Sequence, residues 1–202
     1  NRRKRGDIIM ADTKLWDTLK ELKSPKYKWV DLTHELSPDT PHWYGFKPLQ
    51  ADLLFDYEPD TPDSMKAPMR CFQYSFASQY GTHTDVPRHF WGNGRAMHEI
   101  TVQELVYPLV VIDKSAECAA NPDFMLKTAD LESWEAEHGR IPEGAYPYPG
   151  EQYILEVDRI QVEVMRNLDQ VPPVGSLIVL AFPKLKDGVG FSTRCFAICP
   201  TE

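Results

Sequence analysis

The sequence predicts a single-domain α+β fold built on mixed sheet, and three observations point there. Segments that alternate or run apolar over roughly four to eight residues outnumber those with helical periodicity. No strand–helix–strand rhythm recurs, and neither a GxGxxG nor a P-loop is present. Seventeen prolines in 202 residues exceed the usual ~5%, which favours loops and strand ends over a helical bundle. That length suits one domain able to bury a core without disulfide or metal staples.

The elements follow in chain order. Leu15, Leu19 and Leu22 recur at helical spacing, so 11–25 reads as a short amphipathic helix ended by Ser24-Pro25. Residues 29–36 read as a strand with Val30 and Leu32 on one face. An aromatic loop spans 38–57, holding His42, Trp43, Tyr44, Phe46, Phe55 and Tyr57, and a second loop spans 58–68. Residues 70–76 alternate Cys71, Gln73 and Ser75 against Phe72, Tyr74 and Phe76, a strand pattern. A helical turn at 101–106 and a buried strand at 109–112 come next. Residues 128–138 predict a helix with Leu131, Trp134 and Ala136 inward and Gly139 just past its end. Residues 153–164 alternate weakly, 176–182 is a continuous apolar strand, and 191–199 is the last.

A net charge of −8 argues against a broad nucleic-acid or anionic-membrane surface. The basic opening Asn1-Arg-Arg-Lys-Arg5 has no apolar stretch behind it, so it is not a secretory signal, and with Met10 inside the chain residues 1–9 read as an added or extended tail. The longest apolar run, 177–182, falls far short of the ~18 residues of a membrane span. Cys71, Cys118, Cys195 and Cys199 form no CxxC pair and read as reduced thiols of a cytoplasmic protein.

The chemistry is concentrated in Ser78-Gln-Tyr-Gly-Thr-His-Thr-Asp-Val-Pro-Arg-His-Phe-Trp91. In an extended chain Gln79, Gly81, His83 and Asp85 share one face. Gly81 would leave room there for an ion or a substrate, and Pro87 would bend the chain to bring His89 over the same spot. On a helix His83 and Asp85 would lie about 200° apart and could not share an ion. Imidazoles with a carboxylate suit Zn²⁺ or Mn²⁺ better than Mg²⁺ or a thiolate-preferring metal. Such an ion lowers the pKa of bound water toward ~7 and polarises a carbonyl, and a histidine near its ordinary pKa suits the proton transfer. A bare HxD with a later His is more often a polar strand end. Here Gly81, Pro87 and the Phe90-Trp91 pair shape a pocket rather than a solvated edge.

Gly81-Thr-His83-x-Asp85-x-Pro87-x-His89-Phe90 resembles the HxGTHxDxPxH signature of the cyclase-like metal-dependent hydrolases, the kynurenine formamidase and isatin hydrolase type. Asp31-Leu-Thr-His-Glu-Leu36 with Pro41 and Trp43 is similar to that family's first strand and aromatic loop. Asn167-Leu-Asp169, Gly175-Ser-Leu-Ile-Val179, Pro183-Lys184 and Gly190-Phe191 are similar to its C-terminal strands. The likeness spans roughly 29–200. It implies a mixed-sheet swivelling β/β/α fold, with 1–28 a tail and short helix and 29–202 the metal-hydrolase domain. It implies homodimers or homotetramers whose subunits share the site, and hydrolysis of a small cyclic or aryl amide, or a lactone, by metal-bound water. By position, His83, Asp85 and Glu163 are metal ligands, and His89 is either a ligand or the proton shuttle. Trp43, Gln79, Phe90 and Trp91 are expected against the substrate.

Departures from the pattern sharpen this expectation. Gln79 stands where the family has its first motif histidine, and Glu151 where a downstream histidine is usual, which together favour one divalent ion rather than two. They also keep open a catalytically inactive binding protein on the same fold, beside an arylformamidase of the kynurenine formamidase kind. After Ala145 the family continues with core strands where this chain has only Tyr146-Pro-Tyr-Pro-Gly150, which predicts residues omitted at the Ala145–Tyr146 or Gly150–Glu151 junction. His34 and His42 are expected to be structural or pocket-lining, His98 to cap a loop, and His138 to suit a helix C-terminus. Ser78 and Ser192 lack the base and acid of a serine hydrolase.

Overall fold

The computed structural model describes residues 13–58, 64–121, 123–140 and 151–201. In chain order these form α1 (Lys14–Leu22), β1 (Tyr27–Asp31), β2 (Gln50–Asp56), β3 (Met65–Lys66), β4 (Cys71–Ser75), β5 (His83–Asp85), β6 (Val106–Leu109), α2 (Ser115–Ala120), α3 (Thr128–His138), α4 (Glu151–Glu156), β7 (Gln161–Glu163), β8 (Ser176–Ala181), β9 (Gly190–Ser192) and β10 (Arg194–Pro200). No described helix is long and apolar enough to cross a membrane. The junctions Ala145–Tyr146 and Gly150–Glu151 lie outside the described residues.

Among the described residues, three small sheets carry the fold. An antiparallel sheet of order β1-β10-β8-β6 holds the main core. Its register sets Val30 opposite Ala197 and Ala197 opposite Ile178, so side chains from three strands stack on one face. Leu32, Val171, Leu180, Cys195 and Cys199 complete that cluster. Burying a Val, Leu or Ile side chain contributes about 1.5–3 kcal/mol. A second sheet, β3-β2-β4, leaves Leu54, Met65, Phe72 and Tyr74 exposed. The third, β7-β5-β9, is made of three-residue strands and places the site.

Several expectations shift. Residues 50–56, expected within a loop, form β2, because β4 offers a partner edge and Arg70 forks onto the buried Asp56 carboxylate. The strand expected at 109–112 is β6, three residues earlier. Pro108 is tolerated there because β6 is an edge strand. Residues 153–164 divide into α4 and β7, and 191–199 divides at Thr193 into β9 and β10. In α3 Trp134 is buried but Ala136 faces solvent. In β8 alternate residues Ser176, Ile178 and Leu180 are buried, so the continuous apolar run covers one face only.

Arg95 fastens the segment after the motif. Its guanidinium donates to both Glu104 oxygens (2.8 and 3.1 Å) and to Asp158 (2.8 Å). Glu104 also accepts from the Thr101 backbone N–H and hydroxyl, a capping box. The hydrogen bonds from Arg95 hold the Glu104 carboxyl down at about 2, with the Thr101 donors adding to the effect. A depressed carboxylate stabilises the fold fully above its unfolded pKa of ~4.3 and loses that contribution as pH falls through the folded value. Thermal melts should therefore decline between pH 4.5 and about 2. Glu104→Gln should lower the melting temperature at pH 7 and flatten the decline across that window. An unchanged slope in the variant would show that other carboxylates govern it.

Candidate metal centre

The central strand β5 lies between β7 and β9, both antiparallel. Facing pairs in such a ladder have their Cβ atoms about 4.5–5.5 Å apart. The register puts Glu163 opposite His83 on one side and Gly190 opposite Asp85 on the other. A carboxylate distant in the chain thus joins the HxD pair without any loop having to reach it.

His83, Asp85 and Glu163 each direct one ligand atom into a common space, all within 4.8 Å of one another. His83 Nε2 is 3.3 Å from Asp85 Oδ2 and 3.6 Å from Glu163 Oε2. Ligand atoms bound at ~2.0–2.2 Å around a tetrahedral ion would be about 3.4 Å apart. The His83 ring is turned for this: Nδ1–H donates to the Gly81 carbonyl (2.8 Å), leaving the Nε2 lone pair toward the carboxylates. Glu163 is held by the Gln161 side-chain amide, two residues along the same strand.

Asp85 provides the test of fit. It is buried at 1% exposure, and among the described residues neither carboxylate oxygen has a hydrogen-bond partner. A buried, unpaired carboxylate is costly unless a cation meets it. Burial opposes the charged form of His83, but the Asp85 carboxylate 3.3 Å away, the Gly81 carbonyl and the field of Glu163 together hold its pKa above the ordinary histidine value. The site therefore attracts positive charge from whatever source.

A cavity of about 570 Å³ opens over this cluster, lined by Trp43, Phe46, Gln79, His83, Asp85, His89, Phe90, Glu163 and Val164. A short 3-10 turn, Pro87–His89, brings His89 to its wall, where the ring packs on Phe90 (4.4 Å). His89 faces the cavity without joining the converging three. Gln79 is in the lining; its carbonyl accepts from the Ser78 hydroxyl, which leaves its buried amide nitrogen unpartnered. Trp91 is not in that lining: it borders a separate groove with Arg95, Leu155 and Asp158, because the turn rotates successive side chains apart. The Glu151 side chain lies outside the described residues.

Gly81 has a role other than the expected one. Its φ is +66°, and a Cβ there would meet Thr40 Cγ2 at 2.8 Å and Leu36 Cδ2 at 3.1 Å, so it serves a left-handed turn against a packed loop. The open space comes from Gly190 instead, where a Cβ would lie 2.2 Å from Asp85 Oδ1. Of the remaining histidines, His42 stacks on Tyr80 (4.4 Å), His98 accepts from the Asp187 backbone N–H (3.1 Å), and His138 packs on Trp134 at the end of α3.

The family model for Putative cyclase matches residues 30–146, more than half of the chain. The chain belongs to that family. Isatin hydrolase of Roseibium aggregatum is 35% identical over 139 residues, covering 62% of this chain and 50% of that protein. Kynurenine formamidase of Bacillus cereus is 28% identical over 88 residues, 44% of this chain and 39% of that one. The chain thus spans half or less of the length of these curated relatives. The structure of isatin hydrolase A from Labrenzia aggregata bound to benzyl benzoate superposes with a TM-score of 0.79 at 25% identity, over 92% of this chain and 99% of that one. An isatin hydrolase bound to the product analogue thioisatinate gives 0.80 at 22% identity over 95% and 100%, a likeness of fold. The α+β cyclase-like fold expected from the sequence is the fold of this cyclase-family chain.

Proposed function

We propose that this cyclase-family protein is a metal-dependent hydrolase that opens a small cyclic or aryl amide, or a lactone. One observation carries the reading: an imidazole and two carboxylates, with both Asp85 oxygens buried and unpartnered, converge at the base of a cavity walled by aromatic side chains. The isatin hydrolase and kynurenine formamidase relatives support amide cleavage. His83, Asp85 and Glu163 would hold one divalent ion, Zn²⁺ or Mn²⁺, and Gln79, a neutral amide, argues against a second. Bound there, such an ion polarises a scissile carbonyl and makes water nucleophilic at neutral pH. Trp43, Phe46 and Phe90 hold a flat ring and exclude water from it. An imidazole nitrogen of His89 carries the proton to the leaving group. We further infer a cytoplasmic protein, with 29–202 as the catalytic domain, acting as a homodimer or homotetramer. The exposed apolar side chains of the β3-β2-β4 sheet support association.

Metal analysis with hydrolysis of isatin and of an N-formyl aryl amide tests the proposal. Isatin turnover supports a cyclic-amide hydrolase, and preference for the formyl compound makes it an arylformamidase. Bound metal without turnover of either would leave a binding protein. His89→Ala should lower kcat about 10²–10⁴-fold with metal content retained. Loss of metal with activity would make His89 a ligand, and a fully active variant would remove it from both roles.

A further inference from the structure

The aromatic wall of the cavity belongs to the loop between β1 and β2, which carries Trp43 and Phe46. Tyr80, three residues before the first metal ligand, gathers that loop at one atom, beside a second tie in which the His34 backbone N–H donates to the Thr82 hydroxyl (2.9 Å). Tyr80 lies between Gln79 and Gly81 with its ring fully buried. Its hydroxyl donates toward the Ser37 and Pro38 carbonyls (3.0 and 3.1 Å) and accepts from the Leu49 backbone N–H (3.2 Å). The two ends of the 37–49 loop therefore meet at one phenol oxygen. His42, inside the loop, stacks on the same ring. Thr40 closes the turn by donating to the Glu35 carbonyl, and its methyl group packs on Gly81.

Tyr80 is equally fixed on the side of the ligands. Its carbonyl accepts from the Ser192 hydroxyl (2.6 Å), and the next carbonyl, Gly81, holds the His83 ring. A buried tyrosine is usually a core residue whose hydroxyl has found some partner. Here every hydroxyl partner among the described residues is backbone of the loop whose Trp43 and Phe46 line the cavity.

We propose that Tyr80 is a positioning residue: through its hydroxyl it holds the Trp43–Phe46 roof at a set height over the ligand strand and so determines how tightly a flat aromatic substrate binds. This deepens the hydrolase reading and rests on it. Tyr80→Phe keeps the ring and the His42 stack but leaves the Ser37, Pro38 and Leu49 backbone groups without this partner.

The test uses the metal-loaded full chain, with isatin as probe. In Tyr80→Phe, amide exchange should quicken about tenfold or more across 37–49 and stay unchanged at 83–85. The Kd for isatin, from tryptophan fluorescence, and its KM should rise about tenfold, with kcat within about twofold and metal content unchanged. In a Trp43→Ala background the same substitution should add less than about twofold, because the roof through which it acts is gone. An unchanged Kd and KM, loss of metal, or full additivity with Trp43→Ala would each overturn the role. If the wild type binds isatin but hydrolyses no amide, the hydrolase reading fails, while the exchange and Kd measurements still decide the role of Tyr80. A wild type that neither binds nor hydrolyses aromatic amides overturns both.

Discussion

Asp85→Asn is expected to abolish metal-supported hydrolysis, by about 10³-fold or more, without lowering the melting temperature of the metal-free protein. The two halves share one physical cause. The Asp85 carboxylate is buried with both oxygens unpartnered, and its neighbours are His83 on one side and, past that ring, a second carboxylate from Glu163. Without a cation, burial of that charge is a cost, and a neutral amide of the same shape reduces it. With a cation the sign reverses. Lewis-acid stabilisation of a transition state is worth several kcal/mol, and each 1.36 kcal/mol is tenfold in rate. Saturating Zn²⁺ or Mn²⁺ should raise the wild-type melting temperature through mass action and leave Asp85→Asn unmoved. Calorimetry of both proteins with and without metal reads this directly. A variant that melts well below the wild type in the absence of metal would mean that Asp85 is a structural carboxylate.

The HxD pair was legible because its chemistry is local. Period-two alternation alone puts His83 and Asp85 on one face, and β5 keeps them there. Glu163 could be assigned only through family resemblance, since nothing in Gln161-Val-Glu163 signals that this strand pairs beside β5. Trp91, expected against the substrate, lies elsewhere because the alternation ends at Pro87: after the 3-10 turn, Phe90 lines the cavity and Trp91 the Arg95 groove. Tyr80 carries no such signal, because it lies on the far face of the motif, where its partners come from the 37–49 loop. The fold follows the same rule. α3 and β8, with caps and apolar runs of their own, lie close to where the sequence put them. β2 was hidden because both faces of its sheet carry exposed residues, so no sharp hydrophobic alternation marks it.

Gly190→Ala should damage the site as severely as a ligand substitution. An added Cβ would sit 2.2 Å from Asp85 Oδ1, 2.7 Å from Gln79 Nε2 and 2.9 Å from the Thr84 carbonyl oxygen. Gln79 can swing its amide aside, but the other two cannot yield cheaply. The Asp85 oxygen belongs to a buried carboxylate between paired strands, and the Thr84 oxygen is backbone of β5 itself. Relief requires either rotating Asp85 out of line with His83 and Glu163 or parting β9 from β5, whose whole ladder is three residue pairs. Overpacking of this kind typically costs about 1–3 kcal/mol, which for a chain of this size is a drop of several degrees in Tm. Metal affinity should fall by at least the 10–100-fold seen when the surroundings of a metal site are disturbed, and turnover should fall with it. Gly188→Ala separates the site from simple crowding. Its Cβ would press on Leu185 and the Met97 sulfur, away from the ligands, so it should lower Tm while leaving metal affinity near wild type. Equal metal affinity in Gly190→Ala and the wild type would show that the gap beside Asp85 is a packing accident rather than part of the site.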